Sequence, residues 1–317
     1  LDPRTILLVK PGSFGDVIHA LPVAAAIHRA WPQARLSWVI DPRWEPVLEE
    51  NPAVSERIPF ARENYRGLQG GLRAARWLAT LRERSPDVAV DLQGLLRSAL
   101  IARSARATAI VGLSDAREGA TSFYDQAASV SPRQHAVDRY LAVLPLLGIA
   151  VPDRPEFALP PGDEVASVAL PGDFVLLHPY ARGAGKSLTA EQIAGLCGRL
   201  APLPVVLAGV GTPPKDLPEN VVDLTNRTSL TQLIWLLRRA STVVSVDSGP
   251  MHLAAAIGVR LLAIHTWSDP RRVGPYSADA WVWQGGELRP QRLDAPLQPE
   301  QPITSASLDQ IADWARQ

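Results

Sequence analysis

Asp16 stands in the segment Lys10-Pro11-Gly12-Ser13-Phe14-Gly15-Asp16-Val17-Ile18-His19, directly after the apolar run Ile6-Leu7-Leu8-Val9. A carboxylate placed there can take a proton from a sugar hydroxyl if it lies within hydrogen-bond reach. The glycines beside it let the backbone approach a ligand closely. The same residue can equally cap the helix that follows and complement its dipole. A second segment, Ser245-Val246-Asp247-Ser248-Gly249-Pro250-Met251-His252, has the same strand-turn-helix form. Pro250 suits a first helical turn, and the backbone N–H groups of such a turn cradle phosphate. Ser248 adds a hydroxyl, and His252 lies one turn into the helix. An ordinary strand-to-helix turn capped by Asp247 or Ser248 fits the same residues.

Between these segments lies His178-Pro179-Tyr180-Ala181-Arg182-Gly183-Ala184-Gly185-Lys186, a basic loop after a strand. Lys186 or Arg182 could neutralise a departing diphosphate, or the loop could be a solvated surface turn. Asp91-Leu92-Gln93-Gly94 is a further strand-turn-helix segment with polar groups. Arg117-Glu118 and Gln134–Arg139 are polar clusters that could bind a ligand or hold loops together. Arg62, Arg66, Arg73 and Arg76 form either a solvated helix face or an anionic acceptor site.

These residues need elements to position them. Short apolar runs at 5–9, 36–40, 88–91 and 109–112 alternate with helix-like stretches at 22–30, 68–84, 95–103 and 138–147. After a Pro-rich stretch at 151–162, the expected linker, the alternation restarts. Strands are expected at 174–178, 205–208, 221–223, 243–246 and 260–264, and helices at 189–200, 229–239 and 251–256. The tail 308–315 also has helical spacing. Alternation of this kind predicts an α/β protein with two doubly wound parallel sheets. Such sheets bind ligands beyond the carboxyl ends of their strands, where Asp16, His178 and Asp247 are expected. The reading is of two domains, 1–155 and 156–300, facing across a cleft, with residues 301–317 packing back on the first.

Composition narrows the function. The 32 basic and 32 acidic residues cancel, so whole-chain attraction to nucleic acid is not expected. No apolar run is long enough to span a membrane, and the N-terminal run is too short for the core of a signal peptide. A single cysteine, Cys197, fits a cytoplasmic protein without an internal disulfide. The six histidines lack metal-ligand spacing, so no protein-held metal is expected.

Taken together, these segments resemble the bacterial heptosyltransferases, glycosyltransferase family 9. Lys10–His19 matches the family's Lys-x-x-x-x-Gly-Asp-(Val/Ile)-(Leu/Ile)-His pattern. Asp91-Leu92-Gln93-Gly94 matches its Asp-x-Gln-Gly segment, and Ala116-Arg117-Glu118 and Gln134–Arg139 match further blocks. Ser245–Leu253 matches the nucleotide-site signature, and the segments occur in the family's order.

The resemblance implies a GT-B fold of two Rossmann-like domains. It implies an inverting transfer of heptose from ADP-L-glycero-D-manno-heptose to a Kdo residue of the lipid A inner core, in lipopolysaccharide biosynthesis. It implies no cofactor beyond the ADP-sugar donor and no Asp-x-Asp metal motif. By the same likeness Asp16 is the base and Lys186 meets the diphosphate. His178, Tyr180, Arg182, Asp247, Ser248, Gly249 and His252 would complete the donor site. Ser13, Gly15, Gln93 and Arg117 would meet the acceptor. Arg62, Arg66, Arg73 and Arg76 would meet an anionic glycolipid at the inner face of the inner membrane. The chain departs from the family at Tyr180-Ala181, where two threonines are frequent. It departs again at Ser187-Leu188-Thr189 and at residues 211–216. The alternatives are a different donor or acceptor, a nucleotide-sugar epimerase of the same fold, and a non-catalytic nucleotide-sugar binder.

Overall fold

The structure is a computed structural model that describes residues 3–183 and 185–317. Ala184, part of the expected basic loop, lies outside the described residues. The chain divides into two compact units, Leu1–Pro160 and Pro161–Gln317, so the division falls inside the Pro-rich stretch.

The first unit runs β1 (Thr5–Val9), α1 (Phe14–Ala30), β2 (Arg35–Ile40), β3 (Glu56–Pro59), α2 (Gly67–Leu81), β4 (Val88–Asp91), α3 (Leu96–Ser104), β5 (Ala109–Leu113), β6 (Gln126–Ala128) and α4 (Ala136–Leu141). Its six strands are all parallel, in the order β3-β2-β1-β4-β5-β6. β1 and β4 are continuous apolar runs because helices cover both faces of a parallel sheet. Strand order reverses between β1 and β4, and Val9 pairs in register with Asp91 there.

Helix α1 starts at Phe14, earlier than the expected position 22. Pro22 reads as a first-turn residue because its fixed φ suits that place. Here it lies inside a helix that is buried along most of its length, and tertiary packing overrides the lost backbone bond. The expected helix 138–147 is instead the short α4 followed by a 3₁₀ turn at Leu144–Leu147. Pro145 sits in the first turn of that second piece.

The second unit runs β7 (Val175–His178), α5 (Ala190–Leu200), β8 (Val205–Gly209), β9 (Val221–Thr225), α6 (Leu230–Arg239), β10 (Thr242–Val246), α7 (Gly249–Ile257), β11 (Leu261–His265), α8 (Pro270–Val273), β12 (Trp281–Gln284), β13 (Glu287–Pro290) and α9 (Ser305–Arg316). The order is β13-β12-β11-β10-β7-β8-β9, parallel except for the β12–β13 pair. Here the order reverses between β7 and β10. The two switch points thus place Asp16 and Asp91 together in one unit, and His178 and Asp247 together in the other. Those are the positions where doubly wound sheets bind ligands.

Helix α9, the expected tail helix, packs within the second unit. Leu308, Ile311, Ala312, Trp314 and Ala315 of α9 join a core with Leu196 and Leu200 of α5 and Val205 of β8. Arg199 holds Asp309 at 2.5 Å, and Arg260 donates to the Trp314 carbonyl at 2.6 Å while lying 4.0 Å over its ring. The apolar stripe of α9 therefore completes the second unit.

Ile311 is fully buried in that seam. Ile311→Ala should lower the unfolding free energy by about 2–5 kcal/mol, the usual cost of such a cavity. Gln310→Ala, on the exposed face, should change it by about 0.5 kcal/mol or less. Urea denaturation checks both, and equal effects would mean α9 is not docked as described.

Candidate functional site

In the first unit the site begins where β1 ends. Lys10 follows Val9, and its side chain is buried. Its Nζ donates to the Leu92 carbonyl at 3.1 Å, lies 4.6 Å over the Tyr140 ring, and stands 3.9 Å from Oδ1 of Asp16. Trp38 Nε1 donates to the Lys10 carbonyl at 3.1 Å, which fixes the backbone beneath it.

Asp16 sits in the first turn of α1, with its side chain 34% exposed. Its Oδ2 accepts from the Ser13 N–H at 3.0 Å and from the Ser13 hydroxyl at 2.8 Å. Its Oδ1 accepts from the Tyr140 hydroxyl at 2.8 Å. Burial alone would raise its pKa. The Lys10 charge and these hydrogen bonds outweigh that and hold the carboxyl below the ordinary carboxylate range. Asp16 reaches back to Ser13, the residue before the helix, and stays partly exposed.

Asp91 behaves differently. It ends β4, fully buried, and accepts from Ser98 and Tyr124 hydroxyls at 2.8 Å each and from the backbone of Gln93 and Gly94. Burial still wins and pushes its pKa up. Its acceptors are spent on holding the β4 turn. Gln93 is a tie as well, since its Oε1 accepts from the Gly12 N–H at 3.3 Å. Gly94 turns the chain at φ +66°, and its carbonyl accepts from the Arg117 N–H. The polar cluster before α4 is also structural in part. His135 caps α4 through Val137, and Arg139 pairs with Asp115.

Of the expected acceptor residues, Ser13 and Gly15 lie beside Asp16 in sequence, and both Ser13 donors turn onto its carboxylate. Gly15 lies half-buried in the first turn of α1. Arg117 is exposed, and its charge reaches Lys10. Arg62, Arg66, Arg73 and Arg76 are exposed on and before α2. None of them is a hydrogen-bond or ion-pair partner of Asp16.

In the second unit His178 ends β7, buried, with Nδ1 3.3 Å from the Ser248 hydroxyl. Burial lowers its pKa to about 4, so the ring is neutral at physiological pH. Gly209 has φ +126°, and a Cβ there would meet His178 Nε2 at 2.7 Å, so only glycine fits. Ser248 stands at the N-cap position of α7 with its hydroxyl turned to His178 and Ser245 rather than to the helix, Gly249 opens it, and Pro250 occupies its first turn. His252 is buried one turn further along.

Lys186 donates to Oδ2 of Asp247 at 2.6 Å and lies 4.6 Å over the Trp267 ring. Burial pushes the Asp247 pKa up. A protonated His265, the Lys186 charge, the Ser268 hydroxyl and His252 pull it below the ordinary range. His265 itself is held at about 4 by burial, so at neutral pH Lys186 and Ser268 carry that effect. Ser268 lies 2.9 Å from His265 Nδ1, and the Thr266 hydroxyl donates to the Gly185 carbonyl at 3.0 Å.

Tyr180 is not laid out to meet a ligand. It is buried in the core with Leu188 and Ile193, and its hydroxyl faces Thr225 at 3.3 Å. Arg182 is exposed. Sequence reasoning missed Lys10 as the partner of Asp16, Tyr140, and the Thr266–Ser268 segment. The last lies just past the end of β11, and strand-end position is the signal that could have found it.

The family model for glycosyltransferase family 9 (heptosyltransferase) matches residues 74–202 and 207–294. The chain is 33% identical to lipopolysaccharide heptosyltransferase 1 of Pseudomonas aeruginosa, covering 86% of this chain and 81% of that one. It is 28% identical to the Escherichia coli protein of the same name, covering 87% and 92%. The solved structure of E. coli heptosyltransferase WaaC with ADP-2-deoxy-2-fluoro heptose superposes with a TM-score of 0.79 at 25% identity, covering 98% and 99%. Two Rossmann-like units on this pattern make the fold GT-B. With most of its length matched in sequence and in structure, the chain belongs to the heptosyltransferases of glycosyltransferase family 9.

Proposed function

We propose that this protein transfers heptose, with inversion, from ADP-L-glycero-D-manno-heptose to a Kdo residue of the lipid A inner core. The observation that carries the reading is the full-length match to a heptosyltransferase solved with an ADP-heptose analogue. The site chemistry supports it. Asp16 is ionised throughout the physiological range and partly exposed, so it stands ready to accept a proton. It takes that proton from the acceptor hydroxyl as the oxygen attacks the anomeric carbon. The bond from that carbon to the diphosphate oxygen breaks, and ADP leaves with the electron pair. A carboxylate this well stabilised is a weak base, so the proton moves late in that same step, as the attacking oxygen becomes acidic.

The leaving diphosphate meets Lys186 and the start of α7. The N–H groups there, with the Ser248 hydroxyl, offer donors at the positive end of a helix. Lys186 comes to the diphosphate by exchanging Asp247 for it. Neutral His178 adds no charge and orients Ser248. The exposed arginines 62 and 66 before α2 and 73 and 76 on it, with Leu72 66% exposed on α2, suit the surface of an anionic glycolipid. Among the described residues no helix is long and apolar enough to cross a membrane, so membrane contact in this reading is peripheral.

Asp16→Asn should lower the rate of transfer from ADP-heptose to Kdo–lipid A by about 10²- to 10⁴-fold, with the donor KM little changed. An unchanged rate would sink the base assignment. A panel of nucleotide sugars tested by thermal shift decides the donor, and stabilisation by another sugar nucleotide but not ADP-heptose would overturn the heptose reading. Lys186→Ala leaves the Asp247 carboxylate facing the diphosphate without its cation. ADP affinity by calorimetry should fall at least about ten-fold, and the Lys186→Ala/Asp247→Asn double variant should recover part of the loss. Equal affinity in parent and single variant would remove Lys186 from the donor site.

A further inference from the structure

Among the described residues three donors meet Asp16, and they leave an asymmetric carboxylate. An ionised carboxylate has about four lone-pair positions. Ser13 fills both of those on Oδ2, one from its N–H and one from its hydroxyl. Tyr140 fills one on Oδ1, and Lys10, at 3.9 Å, supplies charge there without a hydrogen bond. One lone pair on Oδ1 is therefore left to take a proton. Its direction is set by the Tyr140 hydroxyl, because a planar carboxylate pinned at three points cannot rotate.

We propose that Tyr140 is the positioning residue of the base, and that its hydroxyl aims the remaining lone pair of Asp16 Oδ1 at the acceptor. The inference rests on Asp16 being that base. Tyr140 suits the task, since it lies on α4, is buried, and has its ring packed under the Lys10 ammonium. That ring contact holds Lys10 in place, so one side chain orients both the base and the charge beside it. Ser13 cannot do this alone, because both of its bonds end on the oxygen that takes no proton.

Other groups around the carboxylate also bear on its ionisation. Lys10 follows β1, and Asp91 ends β4 with its acceptors spent on its own turn. Asp115 and Arg117 follow β5, and Arg139 on α4 pairs with Asp115. His19, one turn along α1, meets His135 edge to face at 5.4 Å. The hydrogen bonds that Asp16 accepts come from Ser13 and Tyr140, so Tyr140 is the partner whose removal frees Oδ1.

Tyr140→Phe keeps the ring over Lys10 and removes the hydroxyl. The expected result is a fall in kcat of about ten-fold or more with the donor KM and ADP affinity unchanged. The acid limb of the kcat/KM profile should rise by about one pH unit, because the carboxylate loses a donor that favours its charged form. The sign is fixed, since a depressed pKa relaxes upward. Placing 3-fluorotyrosine at position 140 makes the phenol a stronger donor and should move the same limb down. A role confined to folding would lower the melting temperature and leave the limb in place for both variants. A Tyr140→Phe protein with the parent's kcat and acid limb, or a fluorotyrosine protein whose limb does not move, would overturn the proposal. Asp16→Asn is assayed alongside, and full activity there would fail the base assignment rather than the role of Tyr140.

Discussion

An ionised carboxylate half-buried in the first turn of the helix beyond a parallel strand is costly, and much of the first unit is arranged around that cost. Removing Asp16 from water favours its neutral form, which could accept no proton. Lys10, Ser13 and Tyr140 reverse the balance, and they come from the end of β1, the turn before α1, and α4. None of the three helps unless those elements are docked. Lys10 is itself buried and destabilised as a cation, so it needs the Leu92 carbonyl, the Tyr140 ring and Asp16 as much as Asp16 needs it. The pair is thus a mutual requirement, of the kind in which losing one partner costs more than the pair contributes.

The second unit repeats the device with a difference in how the ammonium is attached. Asp247 follows β10 directly, Asp16 lies in the first turn of the helix after β1, and each carboxylate has an ammonium beside it. Lys10 extends a strand, is almost wholly buried, and stays at 3.9 Å as a fixed field. Lys186 comes from a glycine-flanked loop, is more exposed, and makes a direct 2.6 Å contact. A fixed ammonium suits a group that must keep one ionisation state. An ammonium on a loop suits a group that must change partners. His178, against Ser248, and His265, beside Asp247, are both neutral by burial and add no charge that would compete with Lys186 for a diphosphate.

Much of the architecture was legible because two-sided burial forces a strand to be apolar throughout. β1, β4, β7, β8, β10 and β11 are short hydrophobic runs, and the sequence marks each to within a residue or two. Edge strands escape that rule. β3 carries Glu56, Arg57 and Pro59, residues that blunt an edge against further pairing, and so it reads as a loop. β12 and β13 were missed despite a clear signal. Gly285 and Gly286, at φ +60° and +82°, form the two-residue turn that a tight hairpin requires.

The site was legible to the extent that a single strand end carries its chemistry. His178, Asp247 and Ser248 stand at or just past a strand end, and Asp16 in the first turn of the helix that follows β1, all flanking a switch point. Partners are a different matter. Tyr140 reaches Asp16 across 124 positions and Lys186 reaches Asp247 across 61, so no local pattern encodes either bond. Tyr180 shows the converse error, because it follows a strand end yet turns inward under Gly209 and Gly211, whose missing side chains make room for its ring. A strand end therefore predicts where chemistry is possible. Which neighbours make it act is decided by helices that return from far along the chain, and those are specified by the core they bury.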